Sequence, residues 1–495
     1  MDTIYCVPEI GIMLEVDSME YESVIGLEIH SELSTKTKIF CGCTTEFGGD
    51  VNTHCCPICS GMPGTLPVMN EKVVEYAVKA GLAMNCEISL FSKQDRKNYF
   101  YPDLPKAYQI SQYDLPICKN GYLDITVNNE VKRIGITRIH VEEDAGKLLH
   151  NAWGNGTLVD MNRCGVPLIE IVTEPDMRSA EEAKALLEKI RTILRYIDVS
   201  DCKMQEGSLR CDVNVSVMPK GSTEFGTRTE MKNISSFSAT ERAINTEIAR
   251  QINVVSEGGT ISQETRRWDD EKGESFVMRT KEDAQDYRYF PEPDLAPIVL
   301  TEEYVENIRK NLPELPDKKH ARYLSEYGLS EYDTTLLVQT KELAKFFEEA
   351  VSYGALPKAA SNWILGDISK VLNERGITIE EIEITPKQLA ELIGEISNGK
   401  ISNTAGKTVF EEMLLNTGKS VAEIIEEKGL AQVSDEGAIL EMVKKVLSEN
   451  AESIEAYKKG KTNVVGFLVG KVMKESQGKA NPKIINQLIV EELNK

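Results

Sequence analysis

Apolar and polar residues alternate over short stretches through the first three-fifths of the chain, to about residue 312, the two-residue period of strands with one buried face. The pattern predicts strands over 24–33, 121–127, 134–141, 158–161, 167–172 and 210–218. Two stretches switch to helical spacing. In 179–196 the apolar positions Ala183, Leu186, Leu187, Ile190, Ile193 and Leu194 fall three or four apart, with Ser179 as N-cap and Glu182 completing a capping box. The second predicted helix is 237–254. Strands without a regular strand–helix repeat indicate an α+β fold with a mixed or antiparallel sheet.

The prolines in Tyr287-Arg288-Tyr289-Phe290-Pro291-Glu292-Pro293-Asp294 argue against a sheet strand, so this segment is expected to close the first domain. Beyond it the pattern is helical, with predicted helices at 332–353, 359–375 and 385–398. A smaller helical region follows Gly429. There Ser434 opens a helix carrying Ile439, Leu440, Val443 and Leu447; the stretch 464–473 comes next, and Asn481-Pro482 starts a last helix through Leu493.

A chain of 495 residues implies two to four domains, and 41% hydrophobic with 27% charged residues is the balance of a globular protein. No apolar run is long enough for a membrane span, and the N-terminus lacks the features of a secretory signal. Eleven cysteines without such a signal point to a reducing, cytoplasmic setting. A net charge of −22 disfavours coating nucleic acid through the overall field but leaves a local basic surface open.

Cys41-Gly42-Cys43 and Cys56-Pro57-Ile58-Cys59 supply four thiolates in two short knuckles, the spacing of a closed structural Zn²⁺ site. Four buried free cysteines are the alternative, and His54 or Cys55 stand close enough to substitute as ligands. No phosphate-binding loop or dinucleotide fingerprint occurs. Alternation instead places Glu28, His30 and Glu32 on the face opposite Ile25, Leu27 and Ile29, an arrangement that also suits a solvent-facing strand. Glu142, Glu143 and Asp144 crowd the end of one strand, and Glu170 interrupts an apolar run. Asp212, Asn214 and Ser216 alternate with Cys211, Val213, Val215 and Val217. Carboxylate oxygens gathered on one sheet face suit Mg²⁺ and a nucleotide. The run from Arg96 through Lys106, Tyr108 and Gln109 mixes cations and aromatics suited to phosphates and base stacking, and reads equally as a pinned structural loop. Arg228, Glu230 and Lys232 alternate on another strand, where Lys232 can meet a phosphate or simply face solvent.

Taken together, Val24-Ile25-Gly26-Leu27-Glu28-Ile29-His30, Asp95 through Asp103, Lys106 through Gln112 and His140-Val141-Glu142-Glu143-Asp144-Ala145-Gly146 resemble the B-subunit family of bacterial aspartyl/glutamyl-tRNA amidotransferases. The likeness continues through Pro167 to Ile171, Glu206 to Asn214, Lys232-Asn233 and Tyr287 to Asp294, and covers the chain from about Tyr21 onward. It implies a cradle-shaped kinase domain over 19–312, a helical domain over 313–428 and a YqeY-like, tRNA-binding tail over 429–495, preceded by an extension, 1–18, that is disordered or an upstream-start artefact. The implied activity is that of a carbon–nitrogen ligase with glutamine as amido donor. ATP and Mg²⁺ serve to phosphorylate the side-chain carboxylate of Glu on tRNA(Gln) or Asp on tRNA(Asn), and ammonia from a glutaminase A subunit displaces the phosphate. A small C subunit clasps the other two.

Position by position, the resemblance assigns Glu28, His30, Glu143 and Glu170 to Mg²⁺, and the four cysteines to the zinc knuckle. Glu206 and Asp212 are candidates for a second metal or the substrate amine, Lys232 for phosphate, and Asn214, Lys106, Tyr108 and Arg96 for the nucleotide. In 429–495 ten lysines stand against nine acids, and Lys458, Lys459, Lys461, Lys471, Lys474 and Lys479 form a candidate tRNA patch, readable otherwise as solvated helix lysines. A non-catalytic tRNA scaffold and a stand-alone amide ligase are the competing functions. The absence of an evident glutaminase constellation in the sequence argues against the second.

Overall fold

The computed structural model describes residues 20–150, 154, 156–280, 286–415, 418–432, 436–458, 461, 463–476 and 480–494. The expected extension 1–18, the cap Ser434, and Lys459 and Lys479 of the tail patch lie outside the described residues. The chain divides into two compact units, one ending at Leu315 and one starting at Pro316.

The first unit is built on a nine-stranded sheet. Its spatial order is Glu274–Thr280, Glu264–Asp269, Thr229–Ile234, Leu209–Pro219, Tyr21–Glu32, Pro167–Thr173, Glu130–Glu143, Cys118–Val127 and Glu87–Ile88. Neighbours run antiparallel except Thr229–Ile234 and Glu264–Asp269, which are parallel. The sheet is therefore mixed, as the alternation implies. One face carries Ile25, Leu27, Ile29, Ile139, Val141, Ile169, Ile171, Val213 and Val215, all nearly or fully buried. Helices Glu71–Ala83, Ala180–Tyr196 and Phe237–Ser256 pack toward it.

Local details depart from the sequence reading for identifiable reasons. Ser179 does cap its helix, accepting from the Glu182 amide at 3.2 Å. The Glu182 carboxylate, however, takes the Arg178 amide (2.6 Å) and Lys132 (2.8 Å), so the chain before the cap is pinned instead of a reciprocal box closing. Helix Glu71–Ala83 is an addition to the predicted elements. The proline-rich segment does form a strand: Phe290–Pro291 pairs with Asp95 and Arg96, which in turn pair with Tyr108–Ser111, giving a second, three-stranded sheet. Pro291 is tolerated because the strand lies at an edge, where no ladder donor is missed.

The second unit is helical among its described residues. The predicted helix over 332–353 is two, Glu331–Leu337 and Lys341–Ser352, because the Thr340 hydroxyl accepts from the Leu343 amide and starts a new helix. The unit holds two apolar clusters, one around Tyr323, Phe347, Ile364 and Leu392 and one around Ile439, Val443, Val472 and Ile489. Among the described residues no helix is long and apolar enough to cross a membrane.

Candidate active site and metal centres

Sheet register explains how distant segments meet. In the antiparallel pairing Arg210 lies opposite His30, His30 opposite Glu170 and Glu170 opposite His140, so four polar residues form one row across four strands. Glu142 follows His140 with the same parity and joins them. His30 Nε2 lies 3.6 Å from Glu142 Oε1 and 3.5 Å from Glu170 Oε2, while His140 Nε2 lies 3.5 Å from Glu142 and 3.1 Å from Glu170. Ligand atoms of His30, Glu142 and Glu170 fall within 4.8 Å of one another.

Charge balance in this buried row is mutual. Burial and repulsion between the two carboxylates oppose ionisation, but the histidines overcome both and hold Glu142 and Glu170 below the ordinary carboxylate range. Burial by itself draws His140 down, yet the charge of Glu170 and hydrogen bonds to Glu142 and Glu170 push it up to about 9. His30 is raised for the same reasons. Two carboxylates held between two imidazolium-prone rings form a pocket in which a divalent cation can take the place of protons.

A second centre lies one alternation earlier on the same strand. Glu28, Asp212 and Glu230 bring carboxylate oxygens within 4.8 Å of one another. Asn214 donates to Glu28 at 3.0 Å, and Lys232 pairs with Glu230 at 2.9 Å and with Asp212. A bulge aims the lysine. Cys211 faces Ile234 and Val213 faces Met231, leaving Lys232 and Asn233 together opposite Asp212, and Asn233 adopts a φ of 66°. Burial first, then repulsion from Glu170, raises the Glu28 carboxyl. A cleft lined by Gly26, Glu28, Thr173, Asn214, Ser216 and Arg228 opens beside this centre.

Glu32, the third alternating residue, enters neither centre. Burial first, and the Asp144 charge second, push its carboxyl up to about 8, while Arg210 and Arg163 reach Asp144. A carboxyl raised in the folded state favours folding while protonated and loses that advantage as pH climbs from about 4.5 to about 8. Urea unfolding midpoints at pH 5 to 8 are therefore expected to fall more steeply for the native chain than for Glu32→Gln. Parallel curves would refute the raised Glu32 carboxyl.

Several predicted site residues are placed elsewhere. Glu143 is not with His30 and Glu170: consecutive residues point to opposite faces, so Glu142 joins the cluster while Glu143 pairs with Lys106 at 2.7 Å and accepts from the Ile110 amide at 2.8 Å. Arg96 is bound by Glu292 through two hydrogen bonds of 2.7 and 2.8 Å and lies 4.3 Å over the Tyr108 ring, so Arg96 and Tyr108 buttress each other. Glu206 sits in a turn before its strand and pairs with Lys203 at 3.0 Å, apart from both centres. Glu28, His30, Glu170, Asp212, Asn214 and Lys232 lie on the predicted face. The structure also brings Glu142, Glu230 and His140 into these two clusters, each reachable by extending the parity of a neighbour already singled out. It also adds Lys97: burial opposes its charge, yet Glu142, Tyr289, Tyr99 and Glu170 hold the ammonium above its usual range, and it lies 4.9 Å from the Tyr287 ring.

The four knuckle sulfurs also lie within 4.8 Å of one another, with 4.0 Å between Cys56 and Cys59. Zn–S bonds of about 2.3 Å in a tetrahedron give sulfur separations of about 3.8 Å, so the donors fit zinc. The Cys56 amide donates to Cys59 Sγ at 3.2 Å. Cys55 turns to the Asn52 carbonyl, and neither it nor His54 belongs to the cluster of four sulfurs.

Residues 23–306 match the family model described as the GatB/GatE catalytic domain, and residues 345–493 match the one described as the GatB domain. The chain belongs to the GatB/GatE family. Similar proteins include the B subunit of the aspartyl/glutamyl-tRNA(Asn/Gln) amidotransferase of Caldicellulosiruptor bescii, 63% identical over 480 residues, which are 96% of this chain and 100% of the relative. The corresponding protein of Thermoanaerobacter sp. is 61% identical over 477 residues and that of Clostridium tetani 59% over 478, with the same coverage. Both sheet centres fall inside the GatB/GatE catalytic match.

Proposed function

We propose that this chain is the carboxylate-activating subunit of a tRNA-dependent amidotransferase, working on Glu-tRNA(Gln), Asp-tRNA(Asn) or both. The supporting observation is the pair of carboxylate centres on one strand: Glu28 and His30 are two residues apart, so their backbones are about 6.5–7 Å apart on one face. That spacing separates a nucleotide end from an aminoacyl end. Glu28, Asp212 and Glu230, beside the cleft, would hold Mg²⁺ on the ATP phosphates, with Lys232 free to turn from Asp212 to a phosphate oxygen. His30, Glu142 and Glu170 would hold a second Mg²⁺ near the substrate carboxylate. Bound Mg²⁺ neutralises phosphate charge and polarises the transferring group.

The chain's side chains position the partners. A carboxylate oxygen of the aminoacyl group attacks the γ-phosphorus, the bond to the β-bridging oxygen breaks, and ADP leaves. Ammonia then attacks the acyl carbon, the bond to phosphate oxygen breaks, phosphate departs and the nitrogen loses a proton. Activation is required because the direct reaction has to expel hydroxide. Ammonia comes from an A subunit and a small C subunit joins the complex. The exposed Lys458, Lys461, Lys471 and Lys474 of the tail meet tRNA phosphates. Zn²⁺ on Cys41, Cys43, Cys56 and Cys59 ties the knuckle together without taking part in chemistry.

The test is purified heterotrimer supplied with each misacylated tRNA, γ-labelled ATP and glutamine. Labelled phosphate release and amide formation are expected only when misacylated tRNA is present. Amide formation that proceeds without ATP cleavage would reduce this chain to a tRNA scaffold.

A further inference from the structure

Lys38 has no exposed surface, yet among the described residues it makes no ion pair with a carboxylate. The hydrogen-bond partner of its ammonium is Cys59 Sγ, 3.7 Å away. The chain around it is tightly held: the Lys38 amide donates to the Cys43 carbonyl at 3.0 Å and the Ile39 amide to the Gly165 carbonyl at 2.9 Å. Its side chain lines a cavity with Cys41, Cys59, Lys106 and Glu143, where the Glu143 carboxylate is already paired with Lys106.

A buried ammonium without a counter-charge costs several kcal/mol. A neutral thiol offsets little of that, whereas a thiolate offsets it directly. Four thiolates around one Zn²⁺ carry a net charge of −2, an excess that itself needs compensation when partly buried. The two problems solve each other.

We infer that Lys38 is the outer-sphere cation of the four-cysteine centre, a positioning residue that donates an N–H to the Cys59 sulfur and lowers the centre's net charge from −2 to −1. The inference rests on the zinc reading above. Cys59 receives two donors, the Lys38 ammonium and the Cys56 amide. A cation beside a coordinated thiolate offsets the excess negative charge and keeps the sulfur deprotonated against protons that compete with the metal, and second-sphere contacts are worth about 10–100-fold in metal affinity.

The consequence is measurable on the intact heterotrimer without an activity assay. Zinc content of the native protein tests the metal reading: one equivalent is expected, and its absence overturns both that reading and the role of Lys38. Release of zinc to a chromophoric chelator tests Lys38 itself. Lys38→Met is expected to lose metal about tenfold faster or more, and Lys38→Arg, which keeps a donor cation, at a rate closer to native. Equal release from native protein and Lys38→Met overturns the inference while leaving the zinc reading intact. Because Lys38→Met can also fail to fold, reductive methylation of the native complex provides a second measurement. Lys38 is expected to stay unlabelled with zinc bound and to become labelled once the metal is stripped. Labelling of Lys38 at the rate of exposed lysines in the zinc-loaded protein overturns the inference.

Discussion

Glu170→Gln is expected to cut ATP-dependent amide formation by about 10²–10³-fold, the usual loss when one group that stabilises transition-state charge is removed. The carboxylate lies between two imidazoles, 3.5 Å from His30 and 3.1 Å from His140, and one of its oxygens lies within 4.8 Å of the Glu142 ligand atom. Glutamine preserves its size and one acceptor but removes the charge that a divalent cation needs. Magnesium dependence separates this from a folding defect. The half-saturating Mg²⁺ concentration is expected to rise for Glu170→Gln and Glu142→Gln and to stay near native for Glu143→Gln, whose carboxylate faces Lys106. Thermal unfolding of each variant checks the fold. Native turnover in Glu170→Gln would remove the row from the chemistry and favour a scaffold role.

That prediction depends on which of two adjacent acids faces the cluster, and the choice shows where sequence reasoning succeeds and stops. Strand parity alone puts Glu28, His30 and Glu32 on one face, and the structure keeps them there. Parity does not say which strand lies beside which, so it cannot show that these three serve three separate groups, with Asp212, with Glu170 and with Asp144. Motif resemblance points to Glu143, although His140 and Glu142 share a parity that Glu143 breaks. Lys232 reaches Asp212 through a bulge, and one extra residue in a ladder leaves no mark on a period-two pattern. The strand Glu274–Thr280 is the sheet's exposed edge, and Glu264–Asp269 buries only Thr265 and Trp268, three residues apart, so neither shows a period-two alternation. Helix Glu71–Ala83 is legible, since Val73, Val74, Ala77 and Val78 keep helical spacing and all are buried. The core elements are thus available from pattern, and the site's internal grouping only from register.

The ion pair between Arg96 and Glu292 carries the largest expected stability effect. Glu292→Gln is expected to destabilise the three-stranded sheet of Phe290–Pro291, Asp95–Asn98 and Tyr108–Ser111 by roughly 3–5 kcal/mol, the cost of stripping one partner from a buried pair. The Glu292 side chain is 0% exposed and that of Arg96 20%. The carboxylate accepts two Arg96 donors and the Asp294 amide at 3.0 Å, so glutamine leaves one donor facing an N–H and the guanidinium short of its counter-charge. Asp294, 3.3 Å from Arg96, replaces that charge only partly, being 39% exposed. Replacing both partners together, Arg96→Met with Glu292→Met, is expected to recover much of the loss, because the desolvation cost of both charges disappears along with their attraction. Amide exchange along 95–111 reads the effect locally: fast exchange in Glu292→Gln, slower in the double variant. Activity is expected to fall with it. Ser111 donates to Glu142 at 3.1 Å and the Ile110 amide to Glu143 at 2.8 Å, so the small sheet holds both acids in register with the row of His30, Glu170 and His140. Unchanged exchange along 95–111 in Glu292→Gln would mean that the ion pair contributes nothing to that hold.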